Sequence, residues 1–231
     1  MNPVRILCLE TALTGCSVCL VENENILAQS ICDVPNSASD KLHILVAEVL
    51  DSAGKQLQDI QAIAVSNGPG SYTGLRIGVA AAKGYAYVLS IPIIAISTLQ
   101  IMAAAAKYRY NISADYYLTA IDARRNEIFW AMYDKNLDTH MTESPLIVNN
   151  AVKNLFDSSQ KICLLGSGAQ KLFDAVQLPD LKMVPDFELQ ARDMKTLALT
   201  GFLNQKFADL AYLEPNYTKE FYRPEFHIKI I

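Results

Sequence analysis

Residues 60–86, IQAIAVSNGPGSYTGLRIGVAAAKGYA, join an apolar strand, a Gly-Pro-Gly turn and a helix rich in small residues without a break. Gly68 and Gly70 flank the rigid Pro69, so the chain can turn sharply off the strand and bring backbone N–H groups to a helix start, a geometry suited to an anion. Neither common nucleotide motif is complete. A P-loop needs a Lys after its second glycine, and none follows Gly74; a dinucleotide fingerprint needs a third glycine where Thr73 stands. Along the helix, Gly74, Gly78, Ala82 and Ala86 fall four residues apart and stack on one side. Each glycine there costs about 1 kcal/mol relative to alanine. A stripe without side-chain bulk admits another helix closely, either a neighbour in the same chain or a partner.

Around this segment the first half alternates regularly. Strands are expected at 5–9, 16–21 and 26–31, a helix at 39–53, a strand at 62–66, the glycine helix, a strand at 91–96 and a helix at 98–108. This is a βββαβαβα order in an α/β protein. The second half begins in the same way, with strands at 117–122 and 127–133 around a polar turn, so that Glu10 and Asp122 occupy equivalent turns and the chain reads as a duplicated unit. A helix near 149–156, a strand at 162–165, a helix at 169–176 and a long helix over 193–210 are expected to follow. The expected lobes are 1–108 and 109–231, with no Gly/Ser linker between them.

Composition narrows the function. The 231 residues are 51% hydrophobic and carry a net charge of −4. Of 20 Lys and Arg only Arg124 and Arg125 are adjacent, so there is no basic stripe to follow a phosphate backbone. Arg5 precedes an apolar stretch that Glu10 soon interrupts, which argues against a secretory signal. Residues 84–106 are uncharged, but Pro92 and the β-branched run around it read as a buried strand rather than a membrane span. Cys16 and Cys19 match C-x-x-C, yet on a strand they point to opposite faces and no second pair completes a metal site. Buried thiols in a reducing cytoplasm are expected. His43, His140 and His227 lack any partner at ligand spacing, so no metal site is expected.

The helix at 39–53 is apolar over a wide arc. Leu42, Leu45, Val46, Ala47, Val49, Leu50 and Ala53 cover about 200°, twice the stripe of a helix packed on one side. Ile44 lies outside even that arc. The surplus apolar surface suits a partner helix.

The run from Asn67 to Gly78 with Ala82-Lys83-Gly84 resembles the TsaB family, also called YeaZ. So do Ile6-Leu7-Cys8-Leu9-Glu10-Thr11, Cys16-Ser17-Val18, Ile91-Pro92, Ser97-Thr98-Leu99, Asp122-Ala123-Arg124 and Glu214-Pro215-Asn216-Tyr217. The resemblance implies duplicated ribonuclease-H-like lobes of the actin, sugar kinase and Hsp70 superfamily. It implies a non-catalytic companion of TsaD in forming N6-threonylcarbamoyladenosine at position 37 of tRNAs, with TsaE docking on the pair. It also implies a homodimer when TsaD is absent, and only indirect contact with tRNA. No intrinsic cofactor is implied; threonylcarbamoyl-AMP and ATP would be used through the partner subunits. The first two helices form the family's partner interface, which points here to Leu42, Leu45, Val46, Val49, Gly74, Gly78, Ala82, Tyr85 and Ala86. The chain departs from the family pattern at Glu10-Thr11-Ala12, where Asp-Thr-Ser is frequent, at Ala38-Ser39 for His-Ser, and at Tyr217-Thr218-Lys219 for Tyr-Leu-Arg.

The paired histidines of a TsaD-like metal site are missing, since Ser97 to Met102 stand at that place. Two other function classes stay open. One is an ATP-dependent phosphotransferase or ATPase, for which Glu10, Thr11, Gly68 and Gly70 are the weak cofactor-binding candidates. The other is a homodimeric interaction module. The proline-punctuated tail 213–231 is expected as a strap across its own domain.

Overall fold

The computed structural model describes residues 3–149, 151–156, 159–176 and 179–218. Strand β1 (Arg5–Glu10) is buried on both faces, with Leu7 and Leu9 in one apolar cluster and Ile6 and Cys8 in another. A strand of that kind belongs in the middle of a sheet covered on both sides. Its neighbours are β2 (Cys16–Glu22), antiparallel, and β4 (Ala62–Ser66), parallel. With β3 (Asn25–Cys32) and β5 (Ile93–Ile96) the first sheet runs β3-β2-β1-β4-β5. The second repeats that order as β8-β7-β6-β9-β10, from β6 (Tyr116–Asp122), β7 (Glu127–Asp134), β8 (Thr139–Ile147), β9 (Ile162–Leu165) and β10 (Leu181–Met183). Three antiparallel strands followed by two parallel ones occur twice, which is the duplicated ribonuclease-H-like arrangement expected from the sequence.

Helices α1 (Ala38–Ser52) and α2 (Tyr72–Leu89) cover the outer face of the first sheet. Ser71 caps α2, its Oγ accepting from the Gly74 N–H at 3.2 Å. Ser90, at φ +54°, ends the helix with its N–H returned to the Ala86 and Tyr87 carbonyls. The inner faces are covered by exchange. Helix α3 (Thr98–Ala104) follows β5 but packs on β6 and β7, and α5 (Lys195–Leu203) follows β10 but packs on β5 and β1. Helix α4 (Ala169–Val176) covers the outer face of the second sheet.

Several boundaries differ from the expectation. β8 was not anticipated: Pro145 lies within it opposite Phe129 of β7, and a proline is tolerated there because β8 is an edge strand. β10 is only three residues long, below what periodicity can reveal. The helix expected over 149–156 is a 3₁₀ turn, Val152–Leu155, and the long helix over 193–210 is a 3₁₀ turn, Ala191–Met194, followed by the nine residues of α5. Helix α3 continues into a wider π-type turn, Ala105–Arg109. Cys16 and Cys19 do face opposite sides of the first sheet. Residues 219–231 of the expected strap, with Phe221, Tyr222 and Phe226, lie outside the described residues.

Candidate functional site

The Gly-Pro-Gly turn is a packing device. Gly68 has φ +121°, and a side chain on it would reach the Asn216 carbonyl at 2.4 Å; one on Gly70 would reach the Ala12 carbonyl at 2.3 Å. The Ser71 N–H donates to that same Ala12 carbonyl at 2.7 Å. One turn into α2, the Thr11 hydroxyl donates to the Gly74 carbonyl at 2.7 Å. A Cβ on Gly74 would stand 2.1 Å from the Thr11 carbonyl and one on Gly78 would stand 2.2 Å from Thr11 Oγ1. The small-residue stripe therefore faces inward, and what approaches it closely is the turn after β1.

This corrects the residues assigned to the partner interface. Gly74 and Gly78 are buried against the turn after β1, and Ala82 and Ala86 against the home sheet. Leu42, Leu45, Val46 and Val49 are buried too, on the sheet side of α1. Tyr85 is half-buried between the two helices, where its hydroxyl and His43 Nδ1 lie 2.7 Å apart. The exposed face of the pair carries other residues. Ile44 is 49% exposed on α1, and Tyr87 and Val88 are 75% and 79% exposed on α2. Ala80, Gly84 and Val88 follow one another at four-residue spacing along that outer face, with exposed Ala47 on α1. Gly84 has open space where its Cβ would be. It is a mid-helix glycine with no internal packing reason, costing about 1 kcal/mol relative to alanine. The signal for this second stripe was in the sequence, but the inward stripe has the same spacing and more glycine.

Between the lobes, the turns after β1 and β6 face each other across a cleft of about 720 Å³, lined among others by Leu13, Gly70, Tyr72, Asp122, Arg124 and Glu188. Of the four weak cofactor candidates only Gly70 lines it. Gly68 is covered by the tail and the Thr11 hydroxyl is engaged with α2. Glu10 is buried at 3% exposure behind the turn, its Oε1 accepting from the Ala12 N–H at 2.6 Å. Its Oε2 and the nearby Ser66 Oγ do not reach hydrogen-bond geometry. Burial pushes the Glu10 carboxyl up to about 7, although the Ala12 amide and Ser66 hydroxyl oppose the rise. Asp122, its counterpart, is held below the usual carboxylate range by Lys171, whose ammonium lies 2.7 Å away and also donates to the Arg125 and Glu127 carbonyls. Among the described residues no group of three His, Cys, Asp or Glu side chains could hold a metal.

A second buried acid was missed by sequence reasoning. Asp193 is the third residue of the 3₁₀ turn before α5, where its Oδ2 accepts from the N–H of the capping Gln190 at 2.9 Å, and its Oδ1 lies 3.0 Å from Arg109 Nε. Arg109 also donates to the Glu188 carbonyl. Burial pushes Asp193 up to about 6, while Arg109 pulls it down. The pair ties the end of α3 to the segment leading into α5.

A family model described as "TsaD: tRNA N6-adenosine threonylcarbamoyltransferase" matches residues 34–219. The "tRNA threonylcarbamoyladenosine biosynthesis protein TsaB" of Escherichia coli K12 is 34% identical over 227 residues, covering 94% of this chain and 95% of that protein. The chain belongs to the TsaB family. "YeaZ from Pseudomonas aeruginosa" superposes with a TM-score of 0.80 at 26% identity, covering 93% of this chain and 99% of that one. At the level of fold alone, the activator of the 2-hydroxyisocaproyl-CoA dehydratase from Clostridium difficile, solved with bound ADPNP, matches with a TM-score of 0.50 at 10% identity over 88% of this chain and 96% of that one. This TsaB family member has a two-lobed fold of repeated five-stranded sheets, with the outer faces of α1 and α2 exposed. No helix among the described residues is long and apolar enough to cross a membrane.

Proposed function

We propose that this chain is an accessory, non-catalytic subunit of the cytoplasmic machinery that forms N6-threonylcarbamoyladenosine at position 37 of tRNAs. In this reading it docks a TsaD subunit on the outer face of α1 and α2, through Ile44, Ala47, Ala80, Gly84, Tyr87 and Val88. Membership of the TsaB family supports the pathway. The observation that carries the docking face is Gly84, a small exposed residue inside a helix with nothing packed on it, beside large apolar side chains in water. A flat stripe of Ala80 and Gly84 lets a partner helix approach the backbone, with Tyr87 and Val88 as anchors. The same face would pair two copies when TsaD is absent. TsaE, threonylcarbamoyl-AMP and ATP belong to the assembled complex, and tRNA is contacted through TsaD.

The alternative, an ATP-dependent phosphotransferase, has the interlobe cleft in its favour. Against it stand Glu10 behind the cleft and Asp122 paired with Lys171. Titration of the isolated chain with Mg-ATP separates the two readings, because micromolar binding with hydrolysis belongs only to the second. The accessory role is tested by reconstituting the modification on unmodified tRNA from TsaD, TsaE and a source of threonylcarbamoyl-AMP. Omitting this chain is expected to abolish modification, and a full rate without it would overturn the reading.

A further inference from the structure

Because Cys16 and Cys19 point to opposite faces of the first sheet, the C-x-x-C spacing does not make them partners; each has a cross-strand cysteine instead. Cys8 stands opposite Cys19 between β1 and β2, and Cys16 stands opposite Cys32 between β2 and β3. Directly opposed residues on antiparallel strands hold their Cα atoms about 4.5–5.5 Å apart, inside the roughly 4.4–6.8 Å that a disulfide spans. Access separates the two pairs. Cys8 and Cys19 are sealed beneath the segment Ala191–Met194 and α5. Cys32, the last residue of β3, is partly exposed, and Cys16 lies next to it at 4% exposure.

The strands are pressed together at this end. Gly15 has φ +68°, and a side chain there would meet the Cys32 carbonyl at 2.0 Å. The two thiols also share Ser37, the N-cap residue of α1, which makes no side-chain cap to its own helix. Ser37 Oγ lies 3.3 Å from Cys32 Sγ, and the same hydroxyl acts on Cys16. Contacts from Ser37, the Val34 amide and Lys41 lower the Cys32 thiol against the opposing charge of Asp33, whereas burial raises the Cys16 thiol. The more readily ionised sulfur is thus also the more accessible one.

We propose that Cys16 and Cys32 form a peroxide-oxidisable thiol pair, in which Cys32 is attacked first and Cys16 resolves it. The Cys32 thiolate attacks one oxygen of hydrogen peroxide, the O–O bond breaks, hydroxide leaves, and Cys32 becomes a sulfenic acid. The Cys16 thiol then attacks that sulfur, an S–S bond replaces the S–O bond, and water carries away the Cys16 proton and the sulfenic hydroxyl. Peroxide is reduced and two thiols are oxidised. A thiol reductant reverses the change, as in the transient redox-sensing disulfides of reducing compartments. The bridge forms beside the first turn of α1, where the Ser37 hydroxyl now lies between the sulfurs.

The test uses the full native chain, a few equivalents of hydrogen peroxide, alkylation of remaining thiols, and digestion at glutamates. Glu22 and Glu24 separate the two cysteines, whereas no Lys or Arg lies between them. The expected product is residues 11–22 joined to 25–48 through Cys16 and Cys32, with the loss of two hydrogens, released by dithiothreitol. In Cys16→Ala, Cys32 sulfenic acid should persist and be trapped by dimedone; in Cys32→Ala, Cys16 should remain a thiol. The inference is overturned if wild-type Cys32 stays reduced, or if it proceeds to sulfinic acid without linking to Cys16. The wild-type peptide map decides between these alone, so a variant that fails to fold leaves the test intact.

Discussion

At the scale of single residues, Thr11 determines what α2 can present. Its carbonyl and hydroxyl fill the space left by Gly74 and Gly78, so leucine at 78 cannot enter without moving the turn after β1. Gly78→Leu is therefore expected to destabilise the fold by about 1–3 kcal/mol or more through overpacking, read as a lower urea midpoint at unchanged m-value. The two raised acids give a pH signature. Glu10 in the folded chain titrates at about 7 and Asp193 at about 6, both above their ordinary values of 4.5 and 3.8. The native state therefore holds protons that the unfolded chain has released, and by linkage stability falls as pH rises through these values. The contribution is fully present below the ordinary carboxylate range and is lost as pH rises through about 6 for Asp193 and about 7 for Glu10. Replacing Glu10 with Gln should remove a large part of this slope, on the order of 2–3 kcal/mol between pH 4.5 and 8, in melts recorded across that range. Arg109→Met leaves the Asp193 carboxyl without its guanidinium. Breaking a buried pair from one side costs about 3–5 kcal/mol, and the loss should be smaller at pH 5, where Asp193 can take up a proton.

At the scale of elements, the sequence shows clearly those stretches whose burial pattern is regular. β1, β2 and β4 are continuous apolar runs because both faces are covered, and α1 and α2 keep a helical period along their buried sides. β8 and β10 were hidden because edge strands bear little burial: β8 mixes exposed and half-buried residues around Pro145, and β10 buries only Leu181. The side of α2 offered to a partner was hidden for a different reason. Spacing reports that something approaches a stripe closely, but not whether it is a turn of the same chain. The described part of the tail does act as a strap. The Asn216 N–H donates to the Asn67 carbonyl at 2.6 Å, Lys83 reaches the Ala211 and Leu213 carbonyls, and the Tyr217 hydroxyl accepts from Arg76 at 2.9 Å while Arg76 lies over the Tyr72 ring. Asn216→Pro removes the first of these donors, a net loss of about 1 kcal/mol. Its Tm should fall by about 2–4 °C in a chain of this size, by differential scanning calorimetry.

At the scale of the whole molecule, the exchange of α3 and α5 between the sheets, fastened by Arg109 and Asp193, makes the two lobes one body around the cleft. The cleft and the duplicated turns follow from the fold. Beside the cleft the Thr11 hydroxyl is engaged with α2, and within its lining Asp122 is paired with Lys171. The outer face of α1 and α2 stays exposed, with Tyr87, Val88 and Ile44 in water, and in the proposed reading TsaD covers it. Gly84→Leu separates docking from folding, because Gly84 faces open space and the substitution raises helix propensity by somewhat less than about 1 kcal/mol. Isothermal titration of the cognate TsaD into wild-type chain and into Gly84→Leu, with thermal melts of both, should show an affinity at least about tenfold weaker for the variant at equal or higher Tm. Wild-type affinity in Gly84→Leu would rule out docking of TsaD on this face.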